Sequence, residues 1–196
     1  HRRRHSFPTR RSSDLHGMVS IVLSVLALVF MFWYFSTNRK SLEVGQSAPD
    51  FKLPDQHGQI RSLSDFRGQW LALYFYPKDD TPGCTKQACA FRDGLQQLSN
   101  LGAVVVGVSV DNTHSHADFA HKFQLQFPLL ADTTAETAAH YRSLIDLGLF
   151  RFAKRNTFLI DPQGKIARMY LSASAKRNSS EVTEDLKTLQ NQTLPS

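Results

Sequence analysis

The sequence predicts an α/β sandwich on a central mixed sheet, preceded by a single apolar span. Three observations predict it. Short apolar runs alternate with amphipathic stretches from residue 70 onward, the pattern of strands covered by helices. A Pro-Gln-Gly turn at residues 162–164 makes the last two strands a hairpin, which brings antiparallel pairing into the sheet. Ahead of these lie 18 residues, 18–35, without a charge.

Residues 18–35 read MVSIVLSVLALVFMFWYF. At ~1.5 Å per residue the run spans about 27 Å, close to the ~30 Å hydrocarbon layer. Trp33 and Tyr34 sit at its end, where interfacial aromatics belong, and Asn38, Arg39 and Lys40 stop it. Only Ser20 and Ser24 interrupt the apolar surface, so the polar stripe of a core helix is missing. No small-residue cleavage site follows. The expectation is an uncleaved single-pass membrane anchor, then a linker over residues 36–43. Before it, residues 6–15 (SFPTRRSSDL) read as one frame of a common DNA-sequencing adapter, so residues 1–17 are expected to be non-native. A start at Met18 leaves Arg39 and Lys40 to hold the following domain in the cytoplasm. Native residues 1–17 would place it in the periplasm.

Residues 70–76 (WLALYFY) read as a strand buried on both faces, ended by Pro77-Lys78-Asp79-Asp80. Pro82-Gly83 leads into a helix over 84–101, with Ala88, Phe91, Leu95 and Leu98 on one face and Gly102 as terminator. Residues 103–110 (AVVVGVSV) are a second buried strand. Residues 114–123 are a helix with Asp111 or Asn112 near its cap. Strands 155–161 and 165–170 flank the 162–164 turn, and a helix over 181–190 takes Ser179 or Ser180 as its cap. Residues 191–196 are a tail.

The formal charge is +6, with a sequence pI near 9.5. Arg2, Arg3, Arg4, Arg10 and Arg11 against Asp14 supply four of those charges, leaving +2 for the remainder. Nucleic acid is therefore not an expected partner. The 14 Phe argue against disorder, and two cysteines are too few for a disulfide scaffold or a four-thiolate zinc site. They suffice for one redox pair.

Cys84 stands at the start of a helix, where unpaired amides and the macrodipole favour a thiolate, the nucleophilic form of the thiol. The alternative is a buried structural cysteine. Cys89 follows at i+5, about 140° around the axis and ~7.5 Å along it. Their Cα atoms lie about 9 Å apart on an intact helix, and a disulfide needs less than ~7 Å. Either the pair never closes, or the first turns unwind when it does.

The run 76–89 (YPKDDTPGCTKQAC), continuing through Phe91-Arg92-Asp93, resembles the peroxiredoxins, specifically the peroxiredoxin Q group or bacterioferritin comigratory proteins. The P-x-x-x-T/S-x-x-C motif falls on Pro77, Thr81 and Cys84, and the C-x4-C spacing on Cys84 and Cys89. Segments 44–51, 107–111, 127–132 and 155–161 match in order, and the resemblance runs from 44 to 190. Segment 138–154 departs from the usual pattern. The resemblance implies a thioredoxin-like sandwich and a thiol peroxidase acting on hydrogen peroxide and organic hydroperoxides. It implies Cys84 as the peroxidatic thiolate and Cys89 as the residue resolving its sulfenic acid to an intramolecular disulfide. Thr81 would hydrogen-bond the thiolate, Arg155 would polarise the peroxide, and Pro77 would shield the site. No metal or organic cofactor is implied. The reductant would be thioredoxin or a thioredoxin-like protein, and the chain a monomer or weak dimer.

A membrane-anchored thiol–disulfide oxidoreductase acting on protein partners is the alternative, against which stands the absent C-x-x-C. His114, His116 and His121 read as solvated helix residues rather than a metal site. Asn178-Ser179-Ser180 and Asn191-Gln192-Thr193 match a glycosylation pattern that is common by chance.

Overall fold

The computed structural model describes residues 13–37 and 41–193, with side chains at 18–31 and 41–192. The expectations for residues 1–12, for the stop at 38–40 and for residues 194–196 lie outside these. The chain divides into two units near residue 41. The first holds helix α1, Ser13–Thr37. Among the described residues no helix is long and apolar enough to cross a membrane. Side chains on α1 are described only from Met18 to Met31, about 21 Å of helix against a ~30 Å layer. The expected single-pass anchor over 18–35, its membrane localisation and both orientation arguments are therefore not upheld.

The second unit opens with a short antiparallel pair, β1 (Lys52–Pro54) and β2 (Ile60–Ser62), and a 3-10 turn at Leu63–Phe66. Then come β3 (Trp70–Phe75), α2 (Pro82–Asn100), β4 (Ala103–Ser109), α3 (Thr113–Phe123) and β5 (Leu129–Ala131). A short helix α4 (Glu136–His140) precedes the hairpin β6 (Leu144–Asp146) and β7 (Arg151–Ala153). The chain continues through β8 (Thr157–Ile160), β9 (Ile166–Tyr170) and α5 (Asn178–Thr193). The main sheet has the order β5-β4-β3-β8-β9. β3, β4 and β5 are parallel, while β8 is antiparallel to both β3 and β9. This is the mixed sheet that the hairpin predicts.

β3 is central because its side chains suit both faces. Leu71, Leu73 and Phe75 point into a core with Tyr141, Phe158 and Ile160. Ala72 and Tyr74, with Tyr76 just beyond, point into the other core, with Phe91 and Leu98 of α2 and Val182 and Leu186 of α5. Each such large apolar side chain contributes roughly 1.5–3 kcal/mol on burial, so the two faces hold β3 from either side.

Of the two expected helix caps, one is found and one is not. Asn112 caps α3, its Oδ1 accepting from Ser115 N at 2.9 Å, as expected. Ser179 and Ser180 do not cap α5; they lie inside it, because the backbone already turns at Ser174, whose carbonyl accepts from Asn178 N at 3.0 Å. β1, β2, β5 and the β6–β7 hairpin are strands of three residues, too short to carry a period. Much of segment 138–154, which departs from the family pattern, forms that hairpin.

Candidate active site

β3 delivers the chain into a loop over Tyr76 to Asp80, and Thr81 then caps α2 with extended backbone and Pro82 following. Cys84 therefore falls in the first turn, among amides without intrahelical partners. It is buried, 1% exposed. β8 runs antiparallel to β3, so Arg155, two residues before β8, arrives at the same end of the sheet. Arg155 Nη2 donates to Cys84 Sγ at 3.3 Å, and Nη1 donates to Gln87 Oε1 at 2.6 Å and to the Gly83 carbonyl at 3.4 Å. The approach needs Gly83, since a Cβ there would stand 3.0 Å from Arg155 Nη2. This sets a fixed, planar cation beside the sulfur, with N–H groups left to face what the sulfur meets.

Gln87 and Asn178 lie behind this contact, both fully buried. Gln87 Nε2 donates to Asn178 Oδ1 at 2.9 Å, and Thr157 Oγ1 donates to the same oxygen at 2.6 Å. Neither Gln87 nor Asn178 is assigned a role by the sequence reading. Gln87 stands inside the motif run, but its partners are distant in sequence. Asn178 registers there only as part of a chance glycosylation pattern, and its burial removes it from solvent.

Of the remaining expected site residues, Thr81 is close in the chain but turned away. Its hydroxyl donates to the Lys78 carbonyl at 3.1 Å, a local back-bond that takes its one proton. It does not at the same time donate to Cys84. Pro77 is half-buried and forms one wall of a cleft of about 390 Å³ with Val110, Phe150 and Phe152. Cys89 is half-buried on the same unbroken α2, and both cysteines are free.

A second network holds the loop. Asp79 accepts from Tyr76 Oη at 2.7 Å and from Ser115 Oγ at 2.7 Å, and pairs with His116 Nδ1 at 2.8 Å. Its own amide donates to Asp111 Oδ2 at 2.9 Å. Burial alone would raise the Asp79 carboxyl. Hydrogen bonds from His116, Ser115 and Tyr76 outweigh it and hold the group below the ordinary carboxylate range. His116 is thus fully buried rather than solvated, because α3 turns it onto the loop. Exposed His114 lies instead beside Asp118 at 3.7 Å. Beneath the site Tyr74 stacks on Phe91 at 4.8 Å, and burial pushes its hydroxyl well above the usual tyrosine range.

Residues 44–169 match the AhpC/TSA family. A curated protein, the putative peroxiredoxin bcp of Coxiella burnetii, is 44% identical over 146 residues, 72% of this chain and 97% of that protein. The crystal structure of peroxidoxin BcpB from Mycobacterium tuberculosis superposes with a TM-score of 0.72 at 34% identity, over 76% of this chain and 98% of the other. The bacterioferritin comigratory protein of Xanthomonas campestris, studied for alkyl peroxide reduction, gives 0.68 at 29% identity, over 76% and 97%.

Proposed function

Because this chain belongs to the AhpC/TSA family, among the peroxiredoxin Q and Bcp proteins, and is a thiol peroxidase, we propose that Cys84 is the sulfur that attacks the peroxide. One observation carries this reading: the Arg155 guanidinium lies 3.3 Å from Cys84 Sγ. The Cys84 thiolate attacks one peroxide oxygen and the O–O bond breaks. The other oxygen leaves and gains a proton, giving water or an alcohol, and the sulfur becomes a sulfenic acid. Arg155 offers its remaining N–H groups to the oxygen that takes up negative charge.

Cys89 then attacks the Cys84 sulfur. An S–S bond forms, and the sulfenic oxygen departs as water. On intact α2 the i+5 spacing leaves the Cα atoms about 9 Å apart, so the first turns must open for this step. A dithiol protein of the thioredoxin type returns two electrons and restores both thiols. Thr81 enters the first step by turning its hydroxyl from the Lys78 carbonyl to the sulfur. Pro77 screens the site from water. The relative's alkyl peroxide reduction supports organic hydroperoxides beside hydrogen peroxide as substrates. The thiol–disulfide carrier alternative loses its membrane premise, and no observation favours it.

The test is the intact mass of the reduced chain seconds after one equivalent of hydrogen peroxide. Loss of two hydrogens, with the Cys84 and Cys89 peptides joined, is expected. An unchanged mass overturns the reading.

A further inference from the structure

We propose that Asn178, the first residue of α5, is a positioning residue that fixes Gln87 and, through it, sets Arg155 against Cys84. The inference rests on Cys84 being the reacting sulfur. Four contacts join these groups: Thr157 Oγ1 and Gln87 Nε2 donate to Asn178 Oδ1, Arg155 Nη1 to Gln87 Oε1, and Arg155 Nη2 to Cys84 Sγ, so the run from Arg155 through Gln87 to Asn178 has one direction. The cation dictates that direction. A guanidinium has donors and no acceptor, so Gln87 must offer it Oε1. Its Nε2 then faces away and needs an acceptor, and Asn178 supplies one by presenting Oδ1.

That orientation has a cost visible in the structure. Asn178 Nδ2 is buried with no hydrogen-bond partner. Turning the amide over would set Nδ2 against Gln87 Nε2, donor against donor, and leave Gln87 Nε2 unpaired; the Thr157 hydroxyl, donor and acceptor both, suits either orientation, so Gln87 is what fixes it. The side chain is thus held in an under-satisfied state by the acceptor role of its oxygen. The seat is also rigid. α5 lies so close on α2 that a Cβ at Gly94 would stand 2.7 Å from Ser179 Oγ, the residue next to Asn178. Gln87 lies between Cys84 and Cys89 on α2, so the same bond ties down the turn that must open for the disulfide.

The test follows the ultraviolet thiolate absorbance of the reduced full chain across pH, in a Cys89→Ser background so that Cys84 supplies the thiolate signal. Asn178→Leu is expected to move the midpoint up by about one unit, equivalent to about tenfold less thiolate on the acid side. Gln87→Met is expected to move it likewise, and adding Asn178→Leu to Gln87→Met is expected to add nothing. Should Asn178→Leu fail to fold, Asn178→Ser, too short to reach Gln87, takes its place. An unmoved midpoint in the Asn178 variant, or a double variant whose shift is the sum of the two, overturns the proposal. The peroxide reading fails separately: if the parent chain consumes no peroxide while the midpoints shift as expected, positioning stands and the peroxidase step falls.

Discussion

Arg155 Nη2 lies 3.3 Å from Cys84 Sγ, across 71 residues of chain, and Gln87 Oε1 holds the other arm of the same guanidinium at 2.6 Å. The planar fork matters as much as the charge, since one cation serves the sulfur, a side-chain amide and the Gly83 carbonyl together. Arg155→Met is expected to slow oxidation of Cys84 by peroxide about 10²–10³-fold, the scale of losing one fixed donor to developing negative charge. Arg155→Lys keeps the charge without the fork and is expected to fall between. Stopped-flow rates at fixed pH measure both, and wild-type rates in Arg155→Met would remove Arg155 from the chemistry.

Gly83 tests the same contact through sterics alone. A Cβ there would stand 3.0 Å from Arg155 Nη2, so Gly83→Ala shifts the guanidinium while removing no charged group. The contact gives by only a few tenths of an ångström, so the expected loss in rate is about tenfold at most. Far-UV circular dichroism is expected to stay unchanged. A variant with full activity would show that Arg155 tolerates movement.

Cys89→Ser separates the two chemical steps. The first oxidation is expected at an undiminished rate, but the product gains one oxygen on Cys84 instead of losing two hydrogens. Excess peroxide then carries that sulfenic acid to sulfinic acid. Mass spectrometry of the Cys84 peptide follows both additions. A variant that resists sulfinic acid as well as the wild type does would contradict Cys89 as the resolving residue.

Asp79 makes stability depend on acid. Its folded carboxyl is held below the ordinary range, so its contribution is present above the unfolded value of ~3.9 and is lost as pH falls through the folded value. Asp79→Asn is expected to lower stability at pH 7 by roughly 1–3 kcal/mol, the cost of disrupting a buried hydrogen-bonded group. The gap between variant and wild type is expected to narrow below about pH 4. Denaturant unfolding at pH 7 and pH 3 measures it. A gap that widens toward acid would refute the assignment.

Local features are legible in the sequence because local physics sets them. The unbroken apolar run 70–76 specifies a strand buried on both faces, the Pro-Gln-Gly turn specifies the β8–β9 hairpin, and helix geometry alone keeps Cys84 and Cys89 apart. The role of Arg155 is legible only through the family resemblance, since nothing nearby in the chain marks it. The tertiary structure decides which distant groups meet. β8 beside β3 brings Arg155 to Cys84. α3 on the active-site loop buries His116 on Asp79, and α5 on α2 buries Asn178 against Gln87. It also turns the Thr81 hydroxyl to Lys78, and it does not uphold the anchor suggested by residues 18–35. Periodicity and turn chemistry act over a few residues. A hydrogen bond across 71 or 91 residues depends on strand order and helix docking, which no short segment carries.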